Sequence, residues 1–104
     1  MIIYSVSITL QPSVESEWLE WMRSVHIPDV LRTGCFVQCH IYKVAEQAAD
    51  EPSYVMQYRC ASLADYQRYR DNFAPTLQKD HTDRFSGRFR ASRQILEEVT
   101  RVEP

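Results

Sequence analysis

At 104 residues, 44% of them hydrophobic and 25% charged with only two glycines, the chain is long enough for one domain built on one core and too short for a second, so residues 1–104 are read as a single domain. A formal net charge of -2 supplies neither the basic footprint of a nucleic-acid binder nor a polybasic membrane anchor. Met1-Ile2-Ile3-Tyr4-Ser5 lacks the basic start of a signal peptide, and no apolar run approaches the ~20 residues that span a bilayer, so a cytoplasmic protein is expected.

Ile2, Tyr4, Val6, Ile8 and Leu10 alternate with Ser5, Ser7 and Thr9, the period of two that buries one face of a strand. Gln11-Pro12-Ser13 breaks that pattern, and Ser13 is the expected N-cap of a helix with Glu15 and Glu17 in its first turn. At 100° per residue, Val14, Trp18, Trp21, Met22 and Val25 fall on one arc that should meet the sheet. Ile27 precedes Pro28 and is pushed away from helical geometry, so the helix is expected to end or kink there, with Gly34 closing a last short turn. His26 is thereby left at a helix end.

Cys35 to Val44 reads as a strand with Cys35, Val37, Cys39 and Ile41 on one face and Phe36, Gln38, His40 and Tyr42 on the other. Ala45 to Pro52 is the expected connection to a third strand, Ser53 to Cys60, in which Tyr54, Met56, Tyr58 and Cys60 oppose Val55, Gln57 and Arg59. Ser62, followed by Asp65, opens a second helix with Leu63, Tyr66, Tyr69 and Phe73 inward. Pro75 should kink it, Leu77, His81 and Phe85 continue its stripe, and Ser86-Gly87 stops it. The last strand is expected from about Arg88 to Val99, with Phe89, Ala91 and Ile95 on one face, and the crowded Arg84, Arg88, Arg90 and Arg93 are read as a solvated face.

The order is βαββαβ, with halves that mirror each other, and this is the α+β, ferredoxin-like plan of an antiparallel sheet carrying two helices on one face. The opposite face would hold Phe36, Tyr42, Val55 and also Phe89 among Ser5, Ser7, Gln38, His40 and Gln57, too apolar for water and too polar for a second core. A homodimer through sheet faces would cover it.

His26 and His81 occupy equivalent places in the two halves and are the candidate catalytic groups, because unperturbed imidazole alone titrates near neutral pH. Their bland roles are a helix-end histidine and a hydrogen-bonded core histidine. Asp29 is either a carboxylate that stabilises a helix start or the partner that orients His26. Trp18, Trp21, Tyr58 and Tyr66, with the two histidines, are candidate walls of a ligand pocket, although aromatic residues at helical spacing are more often core. His81 interrupts an apolar stripe, so burial should lower its pKa, whereas His40 shares a strand face with Gln38 and should lie in the dimer interface. No metal is expected: Cys39 and His40 point to opposite faces, and Cys35 and Cys39 stand ~13 Å apart at ~3.3 Å per residue. The three cysteines Cys35, Cys39 and Cys60 suit a reducing compartment without disulfides. No cofactor is expected, since there is no Gly-x-Gly-x-x-Gly, phosphate loop or His-Glu-x-x-His. An RNA-recognition module shares the βαββαβ order, but its aromatic signature is missing and the charge is wrong, so nucleic acid is not an expected partner.

Two stretches carry a resemblance: Glu17-Trp18-Leu19-Glu20-Trp21-Met22 running into His26-Ile27-Pro28-Asp29-Val30-Leu31 and Thr33-Gly34-Cys35-Phe36, and Phe73-Ala74-Pro75 with Leu77, His81 and Arg84-Phe85. Over nearly the whole chain they resemble the bacterial family catalogued as domain of unknown function 4286, which looks like a branch of the dimeric α+β barrels. The resemblance implies ferredoxin-like subunits that pair through their sheets and often hold a small molecule between helices and sheet. That superfamily spans cofactor-free oxygenases, isomerases, haem-degrading enzymes and ligand-binding regulators, so the fold does not choose a chemistry. Small-molecule binding is the expected function, with cofactor-free catalysis by His26 and His81 as the alternative and a structural or interaction module as the third reading.

Overall fold

The first strand, whose period of two marks one buried face, is paired along both edges and so lies inside the sheet. A computed structural model describes residues 1–104. Its strands are β1 (Ile2–Leu10), β2 (Gln38–Lys43), β3 (Ser53–Cys60) and β4 (Phe89–Glu97). They form one sheet in the order β2-β3-β1-β4, with antiparallel pairing between all neighbours. The even-numbered β1 residues Ile2, Tyr4, Val6, Ile8 and Leu10 are all buried on the inner face, where the helices lie. Even Ser5, on the outer face, is buried.

The helices are α1 (Glu15–Trp21), α2 (Ile27–Arg32), α3 (Leu63–Asn72) and α4 (Ala74–Phe85). α1 begins after a 3-10 turn, Pro12–Val14, and no side chain caps it, so Ser13 does not serve as the N-cap. Ser62 does cap α3, its Oγ accepting from the Asp65 backbone N–H at 3.2 Å. Phe73, at φ -127 and ψ -36, separates α3 from α4, and Pro75 falls in the first turn of α4 where a missing N–H costs nothing. Gly34 and Gly87, both at positive φ, close the two crossovers.

The first crossover departs from the expected break at Ile27-Pro28. A π turn, Met22–His26, joins α1 to α2, with the Ile27 N–H donating to the Met22 carbonyl. Pro28 then sits in the first turn of α2, and the helix continues to Arg32. An i→i+5 bond admits about one extra residue to the turn, which rotates α2 relative to the course of an uninterrupted helix. The inward positions become Val14, Trp18, Met22, His26 and Val30, each four apart, while Val25 is 42% exposed instead of facing the sheet.

Other expectations are corrected. β2 starts at Gln38, not Cys35, because Cys35 follows Gly34 in a turn in which its N–H donates to Thr33 Oγ1. Freed from strand alternation, Cys35 and Phe36 are both buried, and Val37 is 70% exposed. Phe36 therefore belongs to the core, packed with Tyr4, Tyr58 and Tyr69 at ring separations of 6.0, 5.3 and 4.9 Å. Phe89 also lies on the inner face, opposite Leu10 in the register and 4.5 Å from the His81 ring. Leu63 is 49% exposed at the start of α3, so the inward stripe of that helix begins at Tyr66. The outer face keeps Ile3, Tyr42, Val55 and Leu96 as its apolar members.

Gly87 occupies a left-handed conformation, φ +76, with open space where a side chain would go. Gly87→Ala is expected to lower the stability of the fold by about 1–2 kcal/mol from backbone strain alone, read as a lower urea midpoint at unchanged slope.

Candidate functional site

Two helices carry one imidazole each to the same place above the sheet. His81, in the middle of α4, is 5% exposed, and Trp18 on α1 is fully buried beside it. The Trp18 indole Nε1–H donates to His81 Nε2 at 2.9 Å. Indole nitrogen can only donate, so Nε2 is the acceptor and a neutral His81 carries its hydrogen on Nδ1. Phe85 and Phe89 pack on the ring at 5.5 and 4.5 Å. Burial, reinforced by the positive fields of His26 and Arg93, pulls the His81 pKa from 6.5 to about 4.

His26 ends the π turn with its ring stacked on Trp21 at 5.1 Å and 5.8 Å from the ring of His81. Burial lowers its pKa as well, to about 4, with Asp29 and Asp80 opposing the shift and Arg93 adding to it. Asp29 forms an ion pair with Arg32 one turn on, and no hydrogen bond joins it to His26.

A third ionisable group, the one that stays cationic near pH 7, comes from the sheet. Arg93 lies opposite Val6 in the β1–β4 register, on the inner face, and its Nε donates to the Tyr4 hydroxyl at 3.1 Å. Arg84, Arg90 and Arg93 are exposed as expected, but the four arginines do not share one strand face, since Arg84 lies in α4, Arg88 precedes β4, and Arg90 and Arg93 point to opposite faces. Arg84 lies over the Trp21 ring at 5.4 Å and Arg88 over Phe85 at 5.8 Å, Arg90 pairs with Glu51, and Arg93 turns into the helix-to-sheet cleft.

That cleft has apolar walls from Val6, Ile8, Met22 and Met56, phenol rings from Tyr4, Tyr58 and Tyr69, and polar groups from His26, Gln78, His81 and Arg93. Its free volume is about 30 Å³, room for roughly two water molecules. On the other side of His26 lies an open basin of about 400 Å³ lined by Trp21, Val25, Asp29, Asp80, Asp83 and Arg84. His26 borders both spaces and forms the partition between them.

Of the residues singled out in the sequence, His26, Tyr58 and His81 line the inner cleft, and Trp21 and Asp29 line the outer basin with His26. Trp18 stands behind His81 as its hydrogen-bond donor, and Tyr66 packs on the Tyr4 ring at 5.3 Å without lining either space. His40 is remote from both, exposed on the outer face and hydrogen-bonded to the Tyr42 hydroxyl at 3.1 Å. Tyr4, Met22, Gln78 and Arg93 were not singled out. For Arg93 the signal was present: it completes the alternation Phe89, Ala91, Arg93, Ile95. No three His, Cys, Asp or Glu side chains gather closely enough to hold a metal ion. The Cys39 thiol is pushed up to about 12 by burial and is unreactive near neutral pH.

Because the folded imidazoles titrate near 4 and free ones near 6.5, the unfolded chain binds protons between those values that the folded chain does not. Stability should therefore fall as pH drops from 6.5 to about 4, with each ring contributing a slope of up to about 1.4 kcal/mol per pH unit. In His81→Gln, whose amide oxygen can still accept from Trp18, urea denaturation across this window should show about half the histidine slope.

Comparisons with known proteins agree with this architecture. A dimeric ferredoxin-like protein from an uncultured marine organism superposes with a TM-score of 0.72 at 16% identity, covering 100% of both chains. SnoaB, a cofactor-independent oxygenase from Streptomyces nogalater, superposes at 0.63 with 8% identity, covering 99% of this chain and 98% of its own. A protein from Deinococcus radiodurans described as a putative antibiotic biosynthesis monooxygenase gives 0.61 at 9% identity over 100% of both chains. At these identities the likeness is one of fold, and the fold is ferredoxin-like. No curated protein matches the sequence. The family described as Domain of unknown function (DUF4286) matches residues 1–99, and the chain belongs to that family.

Proposed function

We propose that the protein binds a small molecule in the cleft between helices and sheet, as a homodimer paired through its outer sheet faces. The observation that carries this reading is the convergence of His26, Gln78, His81 and Arg93 on an otherwise apolar and aromatic cavity, the composition that orients a ligand while excluding water. At about 30 Å³ the cavity is far below the few hundred typical of ligand pockets. A ligand must therefore part its walls, and Met22 and Met56, unbranched and polarizable, are suited to repacking around one.

The dimer follows from the outer face, where Ile3, Tyr42, Val55 and Leu96 lie among serines, glutamines and other polar side chains and Tyr42 is 49% exposed. A second copy supplies the same mixed surface to itself, as a two-fold interface requires, and the solved neighbours include a protein described as dimeric. No helix is long and apolar enough to cross a membrane, and the free cysteines suit a reducing, cytoplasmic setting. Light scattering at micromolar concentration should give the dimer mass, and Val55→Lys should shift it to monomer with the circular dichroism spectrum retained. A folded wild-type monomer would overturn the interface.

A second reading, cofactor-free catalysis, draws on the two neutral imidazoles 5.8 Å apart, one tied to Trp18 and the other without a hydrogen-bond partner and free to accept a proton. The neighbour described as a cofactor-independent oxygenase keeps this reading in view. Native mass spectrometry of the purified protein should reveal a bound small molecule that is lost in a folded His81→Gln variant. Turnover of that molecule that vanishes in a folded His26→Ala variant which still binds it would assign His26 as the base, whereas a bare dimer with no binding favours a structural module.

A further inference from the structure

We propose that the cleft takes an anion: a small molecule with an apolar, flat body and one carboxylate or phenolate oxygen, received by the Arg93 guanidinium and the Nδ1–H of His81. This deepens the small-molecule reading above and rests on it. Three independent features of the cleft lead here.

The first is an arginine without a counter-charge. The side-chain hydrogen bond of Arg93 runs from Nε to the neutral Tyr4 hydroxyl, and it pairs with no carboxylate, leaving both terminal nitrogens of the fork free. Arg84, Arg88 and Arg90 differ, since each stacks on an aromatic ring or meets a glutamate. A planar guanidinium with two unused N–H groups matches a carboxylate in two-point geometry.

The second is the fixed tautomer of His81. Its Nε2 is occupied by the Trp18 N–H, and no acceptor within the chain engages Nδ1. With no partner in the chain, and with no fully enclosed side-chain nitrogen left unpaired, Nδ1 is not sealed in the core, and His81 is one of the residues that line the cleft. Water can meet this donor in the cleft, and a ligand that displaces the water has to accept from it in turn.

The third is the sign of the lining. Of the 11 residues around the cleft, none is Asp or Glu. The carboxylates of Asp29, Asp80 and Asp83 all lie in the outer basin, beyond His26. An anion is thus repelled from the basin side and drawn from the β4 side, where Arg93 is exposed at the rim. The rings of Tyr4, Tyr58 and Tyr69 and the two methionines present flat apolar surface to the body of such a ligand.

Benzoate and its neutral isostere benzamide separate charge from shape. In nitrogen-15 NMR titrations of the wild-type protein, benzoate is expected to shift the His81 ring signals and the Arg93 side chain and to bind at least tenfold more tightly than benzamide. Arg93→Gln, at an exposed position and checked by an unchanged melting temperature, should abolish that tenfold preference, benzoate losing about tenfold more affinity than benzamide, and Arg93→Lys should restore part of it. Equal binding of the two probes in the cleft, or a preference that survives Arg93→Gln, would overturn the anionic class while leaving the small-molecule reading intact. If neither probe enters the cleft and the purified protein carries no small molecule, the small-molecule reading fails and the anion proposal with it.

Discussion

The hydrogen bond from the Trp18 indole to His81 Nε2 is the constraint on which the cleft depends. It ties the first crossover helix to the second across 63 positions of sequence, in a place where neither partner can turn to water. Breaking it by removing one side would orphan the other at a cost of about 1–3 kcal/mol, and the chain leaves no fully enclosed side-chain polar atom unpaired. The same bond selects the tautomer of His81 and withdraws the ring's one acceptor. A histidine that looks like a catalytic candidate is thus also a fixture of the helix packing, with Nδ1 as the ring nitrogen that the bond leaves unengaged.

His26 is the complementary case. It belongs to the π turn, which exists because Pro28 cannot supply an N–H in the middle of a helix and its ring would press on the preceding turn. The widened turn absorbs both problems and carries His26 inward in place of Val25. Its ring rests on Trp21 without a hydrogen bond to hold either nitrogen. The two imidazoles share a low-dielectric setting and the field of Arg93, so both are neutral near pH 7, but one is locked and the other is not. This division follows from packing and needs no carboxylate beside either ring.

Much of the architecture was legible because it is local. The alternation in Ile2 to Leu10 and in Ser53 to Cys60 fixes strand and face together, since neighbouring side chains on a strand must point opposite ways. Ser62 before Asp65, and the glycines at 34 and 87, mark helix ends through backbone geometry that few other residues tolerate. Where local rules competed, the reading failed. Phe36 looked like an outer-face residue under strict alternation, yet the turn after Gly34 lets it fill the space beneath Tyr69. Pro28 looked like a helix stop, yet the apolar spacing of four from Val14 to Val30 keeps the chain helical and spends the mismatch in one π turn.

The sequence by itself determined the βαββαβ order, the buried face of the first strand, the inward stripe of α4 and the candidacy of His26 and His81, because each is set by spacings of two or four residues along the backbone. The tertiary structure alone decided what those residues meet. Arg93 shares a face with Phe89 and Ala91 by simple alternation, but only the pairing of β4 beside β1 sets its guanidinium against Tyr4 and opposite the two imidazoles. Likewise, nothing near His81 in sequence foretells the Trp18 N–H that fixes its tautomer. Such contacts depend on how the helices close over the sheet, a sum of packing over the whole core that no short window of residues contains.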